Sequence, residues 1–305
     1  MCENRSKEQD MGLIDKAGKK VLLKLPNLKL ISLARESMPY ISVQADGLSF
    51  FFSNTDQAIL NYIVENKKIW AKDEMDFVLG YFDSISSRPS TVIDIGANVG
   101  TSVVYFRDRL GEDTGFYAIE PVTDNYNLLN ANCAVNGFTD IKTFKTGISD
   151  CSGEAAMDIN SNNMGNCKIA GTDSDRLVQC ETDETYVGET IKLITLDSLI
   201  SEEKIDAGQV SLFWIDVEGH EPEVFKGGMN TFRNSDPVVF MEFNPRLYKH
   251  NGGYEGFLQD IKECFGRFIC FEQHQSGKYD FRDISEIGRV AEENDMNQCN
   301  LLLVR

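Results

Sequence analysis

"VIDIGANVGTSVVYF", residues 92–106, decides how the rest of the chain is read. A short apolar run closes on an acid, Asp94. A glycine loop follows, Gly96-Ala97-Asn98-Val99-Gly100, and Thr101 opens a segment with helical spacing. A buried strand that turns through glycines into a helix commonly holds a nucleotide-like ligand. The loop backbone and the helix N-terminus can then approach that ligand closely.

Two ligand classes compete for such a loop. The dinucleotide fingerprint is G-x-G-x-x-G, and its middle glycine lets backbone reach the pyrophosphate. Here the spacing is G-x-x-x-G, so that glycine is missing. Asp94 stands two residues before the loop, a poor neighbour for an anion. It suits the sulfonium and ammonium of S-adenosylmethionine, and the electrostatics favour that methyl donor. Glu120 ends the next strand-like run, "GFYAIE", where a carboxylate can accept ribose hydroxyl protons. That feature serves NAD equally well. Topology puts the adenine near Gly147 and Ile148.

Working outward, strand-like and helix-like segments alternate from residue 91. "TVIDI", "GFYAIE", "IKTFKTGIS", "VSLFWIDV" and "PVVFMEF" read as strands with helical spacing between them. This alternation predicts an α/β fold with a doubly wound, mostly parallel sheet. "GRFICFE" and "CNLLLVR" have little helical signal between them and suit a terminal antiparallel pair. Residues 1–88 read as a helical extension with one strand-like segment, "ISVQADGLSFFF". "SSRPS" breaks the pattern and opens the main domain, 89–305. A polar, acidic interruption at about 152–195 reads as a loop, or as a hairpin with a long tip. Long loops in compact domains are often functional, so this one is a candidate lid, with Asn163 a candidate acceptor contact.

Composition narrows the partners. The 305 residues are 42% hydrophobic, enough for a sizeable core, and carry a net charge of −18. A nucleic-acid binder needs a basic face, so no such partner is expected. No apolar run approaches the roughly 20 residues that span a bilayer, and the opening residues carry charges without a leader's apolar stretch. The eight cysteines include no C-x-x-C pair. Zinc is therefore unsupported, and reduced thiols in a cytoplasmic protein are expected.

The segment "LFWIDVEGHEPEVF" carries most of the remaining chemistry. It brings Asp216, Glu218, His220 and Glu221 to the edge of the sheet where the ligand of a doubly wound fold sits. "VVFMEFNP" adds Glu242 and Asn244 to the same edge, facing an acceptor. Asp216 and His220 are equal candidates for a general base, with Glu218 behind them. Strand-end acids also bond the backbone N–H groups of the next helix, the plainer reading for Glu221. Asp94, Asp216, Glu218 and Glu242 could instead hold Mg²⁺. An acid committed to the methyl donor serves a metal poorly, however, so no metal is expected. "HEPEVF" is not H-E-x-x-H. His250 and His274 lie outside the motif and read as structural or surface residues.

"VIDIGANVGTSVVYF", "AIEP", "GISDCSGEAAMDI", "ITLDSLI" and above all "FWIDVEGHEPEVFKGG" resemble the FkbM family of S-adenosylmethionine-dependent methyltransferases, over about residues 91–245. The D-V-E-G-x-E segment with its K-G-G turn is the most specific element. The resemblance implies the seven-stranded methyltransferase sheet and O-methylation of a sugar, glycan or other natural-product hydroxyl. On this reading Asp94, Gly96, Ala97, Asn98, Gly100, Thr101, Glu120 and Ile148 contact the cofactor. A nucleotide-dependent oxidoreductase and a non-catalytic S-adenosylmethionine-binding module are the alternatives.

Overall fold

The computed structural model describes residues 12–14, 20–22, 39–160, 168–169, 186–274 and 278–305. Asn163 and the tip of the polar interruption lie outside them.

Two short strands, β1 (Gly12–Ile14) and β2 (Lys20–Leu22), pair antiparallel. The strand-like segment of the extension forms a hairpin of β3 (Tyr40–Ala45) and β4 (Leu48–Ser53). Its turn is Asp46-Gly47, both at positive φ, the pairing that two-residue hairpins favour. Burial alternates along β3, so the hairpin lays one face on the core. Asn132 and Asn136 bond the backbone of Phe51 and Ser49, satisfying the edge of β4. Helices α1 (Ile59–Asn66) and α2 (Lys72–Ser84) follow.

The main sheet is built from β5 (Thr91–Ile95), β6 (Gly115–Ile119), β7 (Lys142–Phe144), β12 (Leu212–Ile215), β13 (Val238–Phe243), β14 (Arg267–Cys270), β15 (Arg282–Asp283) and β16 (Cys299–Val304). Its order is β15-β14-β16-β13-β12-β5-β6-β7. Strands β5, β6, β7, β12 and β13 run parallel, and β16 pairs antiparallel with β13 and β14. This is the doubly wound α/β architecture, with the terminal antiparallel pair at one side. The expected seven strands carry an eighth at the edge. β15 is only two residues long, too short to leave an alternation in the sequence.

Alternation also divides the core. Val92, Leu212, Trp214, Val238 and Phe240 face one side, where the hairpin and helices α1, α2, α3 (Thr101–Leu110) and α4 (Thr123–Val135) pack. Ile93, Ile95, Phe213, Ile215, Val239 and Met241 face the other, against α5 (Leu196–Glu202), α6 (Glu221–Gly227), α7 (Met229–Asn234), α8 (Pro245–His250), α9 (Tyr254–Cys264) and α10 (Ile287–Glu293). Central strands covered on both faces read as unbroken apolar runs, as "LFWI" and "VVFMEF" do.

The flanks of the polar interruption are strands. β9 (Gly153–Asn160) and β11 (Tyr186–Ile194) pair antiparallel, β10 (Lys168–Ile169) adds to β9, and β8 (Gly147–Ile148) joins β11 in parallel. The interruption thus begins and ends as a hairpin. The run read as one strand, "IKTFKTGIS", is split: β7 stays in the main sheet and β8 belongs to this smaller one.

Candidate active site

The chain passes outward through β5, β6 and β7, then returns to β12 on the other side of β5. Strand order reverses between β5 and β12, and a crevice opens beyond their carboxyl ends. A cavity of about 700 Å³ lies there, within the roughly 300–1,000 Å³ range of small-molecule sites.

The glycine loop forms its floor. Gly96 has φ +88, and a Cβ built there would sit 1.8 Å from the backbone oxygen of Asp216. Only glycine lets the exits of β5 and β12 approach so closely. Gly96, Ala97, Asn98, Thr101 and Ser102 line the cavity. Gly100 does not. At φ +86 it is the N-cap of α3. The K-G-G turn has a similar cause: a Cβ on Gly227 would lie 2.0 Å from the Ser149 oxygen, so α6 can pack against the residue after β8.

Glu120, at the end of β6, faces the cavity and is 5% exposed. One carboxylate oxygen accepts from the Asn98 N–H and the other from the Val122 N–H, each at 2.9 Å. The Asn125 side chain is a third donor to this carboxylate. Burial pushes this carboxyl up to about 7, against the pull of those N–H groups. Gly147 and Ile148 line the wall beside it, with Met157, Ile191 and Leu193 of the hairpin.

Asp94, expected beside the methyl donor, lies at the carboxyl end of β5. It shares the sheet face of Val92, so its side chain turns toward α3, where the Ser102 hydroxyl donates to Oδ2. It is fully buried and is not among the residues lining the cavity. Burial raises its carboxyl to about 7, and the Asp216 and Glu120 charges add to the rise. Its partner Ser102 does line the cavity, so Asp94 stands one side chain back from it.

The β12 exit carries Asp216, Val217, Glu218, Gly219 and His220 into the cavity wall. Glu218 and Gly219 have positive φ, which bends the chain sharply before α6. Glu221 holds that bend. It is fully buried and accepts from the Val217 N–H at 3.0 Å and the Tyr248 hydroxyl at 2.8 Å. This is the backbone-bonding role its position suggests. Burial pushes its carboxyl up to about 7.

His220 lies 3.0 Å from the Ser149 hydroxyl through Nε2 and 3.6 Å from Glu223 through Nδ1. Burial holds its pKa below the ordinary 6.5, the Glu223 charge opposing. The imidazole is accordingly neutral at pH 7 and able to take a proton. Asp216 is open to the cavity, yet protein surrounds it closely enough to raise its carboxyl, while a hydrogen bond from Glu242 works the other way. Burial and the neighbouring Asp216 charge raise Glu242 well above its usual range.

Asn244, expected to face an acceptor, hydrogen-bonds the cavity-lining Glu242 through its side chain. Its side chain caps α8, accepting from the Leu247 N–H, and it does not line the cavity. His250, read as a surface or structural residue, does line it. His274 keeps its structural reading, stacked on Phe271 and 2.6 Å from that residue's carbonyl oxygen. Trp70 and Glu74 also join the wall, and neither was singled out from the sequence. Trp70 is 41% exposed and packs edge-on against Tyr62.

Six carboxylates line the cavity: Glu74, Glu120, Asp216, Glu218, Glu223 and Glu242. Among the described residues lining it there is no lysine or arginine. Such a lining attracts cations and repels phosphates.

These buried acids set a pH dependence of folding. Asp94, Glu120 and Glu221 have folded-state pKa values near 7, against ordinary values of 3.8 to 4.5. A raised carboxyl contributes stability in full below its unfolded pKa and loses it as pH climbs through the folded value. His220 works oppositely, but only below its ordinary 6.5. Thermal unfolding of the ligand-free protein should therefore fall in midpoint from pH 5 to pH 8. A midpoint that rises across that window contradicts the assignment.

A model of the methyltransferase FkbM domain matches residues 94–284. No curated protein matches the chain. Among solved structures it is similar to methyltransferase FkbM from Methylobacillus flagellatus, at 15% identity over 81% of this chain and 52% of that one, with a TM-score of 0.43. The chain thus spans about half of that protein's length. An S-adenosylmethionine-dependent O-methyltransferase from Thermotoga maritima is 10% identical over 98% of this chain and 94% of that one, at a TM-score of 0.42. A tRNA (uracil-54, C5)-methyltransferase from Pyrococcus abyssi is 9% identical over 88% and 44%, at 0.40. Among the described residues, no helix is long and apolar enough to cross a membrane.

Proposed function

The chain belongs to the FkbM methyltransferase family, and from that premise we propose that it moves the methyl group of S-adenosylmethionine to a hydroxyl of a sugar, glycan or other natural product. The observation that carries this reading is the cavity at the switch point. Its glycine floor and Glu120 suit an adenosine, and the six carboxyl groups, with no lysine or arginine among the described lining residues, suit a sulfonium. A pyrophosphate would meet the same charges unfavourably.

In this reading the ribose hydroxyls donate to the Glu120 carboxylate. The adenine rests by Ile148, and the loop from Gly96 to Asn98 supports the rest of the donor. Methyl transfer is an in-line displacement. The acceptor oxygen attacks the methyl carbon, the carbon–sulfur bond breaks, and S-adenosylhomocysteine leaves. Alignment supplies much of the rate. His220 takes the hydroxyl proton. Of the two equal candidates it is the better base, because it is neutral and held by Ser149 and Glu223. Asp216 is engaged with Glu242.

Asp94 becomes a positioning residue in this account. Asp94→Asn keeps a hydrogen-bonding side chain under the loop and removes a charge that does not touch the donor. It should weaken donor affinity less than Glu120→Ala does. Titration calorimetry of both folded variants checks the order, and a larger loss in Asp94→Asn would return Asp94 to direct contact. Incubation of the full chain with labelled methyl donor and host glycan or metabolite extracts tests the reaction. Label transferred to a hydroxylated product supports the reading. Label on nitrogen or carbon, or none over all extracts, goes against it.

A further inference from the structure

Glu242 ends β13 inside the cavity and is 6% exposed. Its Oε1 has no hydrogen-bond partner. A buried carboxylate oxygen without a donor is costly, and native structures rarely leave one so. One oxygen from each of Asp216, Glu218 and Glu242 lies within 4.8 Å of the other two. Like charges this close require a proton or a cation among them. Glu242 shares a proton with Asp216 in the ligand-free chain, the place a cation would take, and among the described residues lining the cavity there is no lysine or arginine to compete for it.

The backbone gathers these three acids. Asp216 follows β12, Glu242 lies on the neighbouring β13, and the left-handed turn at Glu218, φ 53, folds that residue back beside them. Asp94, which the sequence groups with them, bonds Ser102 of α3 and is absent from the cluster. An acid committed to the donor would serve a metal poorly. None of these three is assigned a direct bond to the donor, whose ribose falls to Glu120.

We propose that Asp216, Glu218 and Glu242 form a binding site for a divalent cation at the β12–β13 edge of the cavity. The donor atoms are all carboxylate oxygens, which suit Mg²⁺, Mn²⁺ or Ca²⁺ over softer metals. A cation there polarises an oxygen that enters the same cavity. The other acid-containing group, Cys270, Glu272 and Cys299, offers two thiols. Its Glu272 is occupied by the backbone and side-chain N–H groups of Asn300, at 2.9 to 3.0 Å. It provides the control.

The test is titration of the chelator-stripped full chain with Mn²⁺, followed by calorimetry and electron paramagnetic resonance, with neither methyl donor nor acceptor present. One saturable site per chain is expected. Glu242→Gln and Asp216→Asn should each weaken it about tenfold or more by removing a charged ligand, and Glu272→Gln should leave it unchanged. If circular dichroism shows that Glu242→Gln is misfolded, Glu218→Gln, in a turn outside the sheet, carries the same expectation. No saturable binding by the wild type overturns the proposal, as does binding that survives in the folded site variants or is lost in Glu272→Gln. Donor binding measured in chelator is a separate result. Its failure would count against the methyl-transfer reading and leave the cation site standing.

Discussion

Replacing His220 by alanine is expected to lower kcat on the true acceptor by about 10²–10⁴-fold, the range a general base supplies, and to leave cofactor affinity nearly unchanged. The imidazole lines the cavity through the β12 exit and makes none of the contacts of the glycine floor. The pH profile isolates the role. Burial holds the His220 pKa below 6.5, so the wild-type rate should decline only as pH drops beneath that value, where the ring takes up a proton. The decline should vanish in His220→Ala. Asp216→Asn also lowers the rate if Asp216 holds a cation, but it should keep the acidic limb. A His220→Ala enzyme that retains most of its activity and its limb would move the base to Asp216.

Glu120→Ala is expected to raise the dissociation constants of S-adenosylmethionine and S-adenosylhomocysteine together, by about a hundredfold. Two charge-assisted hydrogen bonds to the ribose are removed, each worth about 1.5–3 kcal/mol, partly offset by water that enters the vacated space. Both ligands carry the same ribose, so the losses should match. The Asn98 and Val122 N–H groups also lose their acceptor. Glu120→Gln, which retains an acceptor oxygen, should therefore recover loop order and only part of the affinity. A variant that weakened the sulfonium ligand alone would assign Glu120 to charge sensing.

Much of this architecture is legible in the chain because local signals agree. The apolar runs of β5, β12 and β13 are continuous where strands are covered on both faces. The G-x-x-x-G loop falls between strand and helix, and Glu120 stands at a strand end where its carboxylate must reach the crevice. Local bonding decides where other candidate side chains end up. Asp94 lies two residues after Val92 and shares its face, where its side chain is taken up by Ser102 of α3. Asn244 precedes Pro245, the arrangement of a helix cap followed by proline in the first turn, and capping uses its side chain. The alternation in "VGETIKLI" marks a strand within the polar interruption, and that strand supplies Ile191 and Leu193 to the wall. Trp70, Glu74 and His250 leave no comparable trace. They reach the cavity from α1–α2 and the end of α8, and only the packing of those elements over the sheet edge brings them there.

The central claim is that the cavity between β5 and β12 holds a cationic methyl donor and not a dinucleotide. Calorimetric titration of the full chain with S-adenosylmethionine, S-adenosylhomocysteine and NAD tests it most directly. The account predicts one saturable site for the first two, weakened in parallel by Glu120→Ala, and no measurable heat with NAD. Saturable NAD binding with none for S-adenosylmethionine would contradict it.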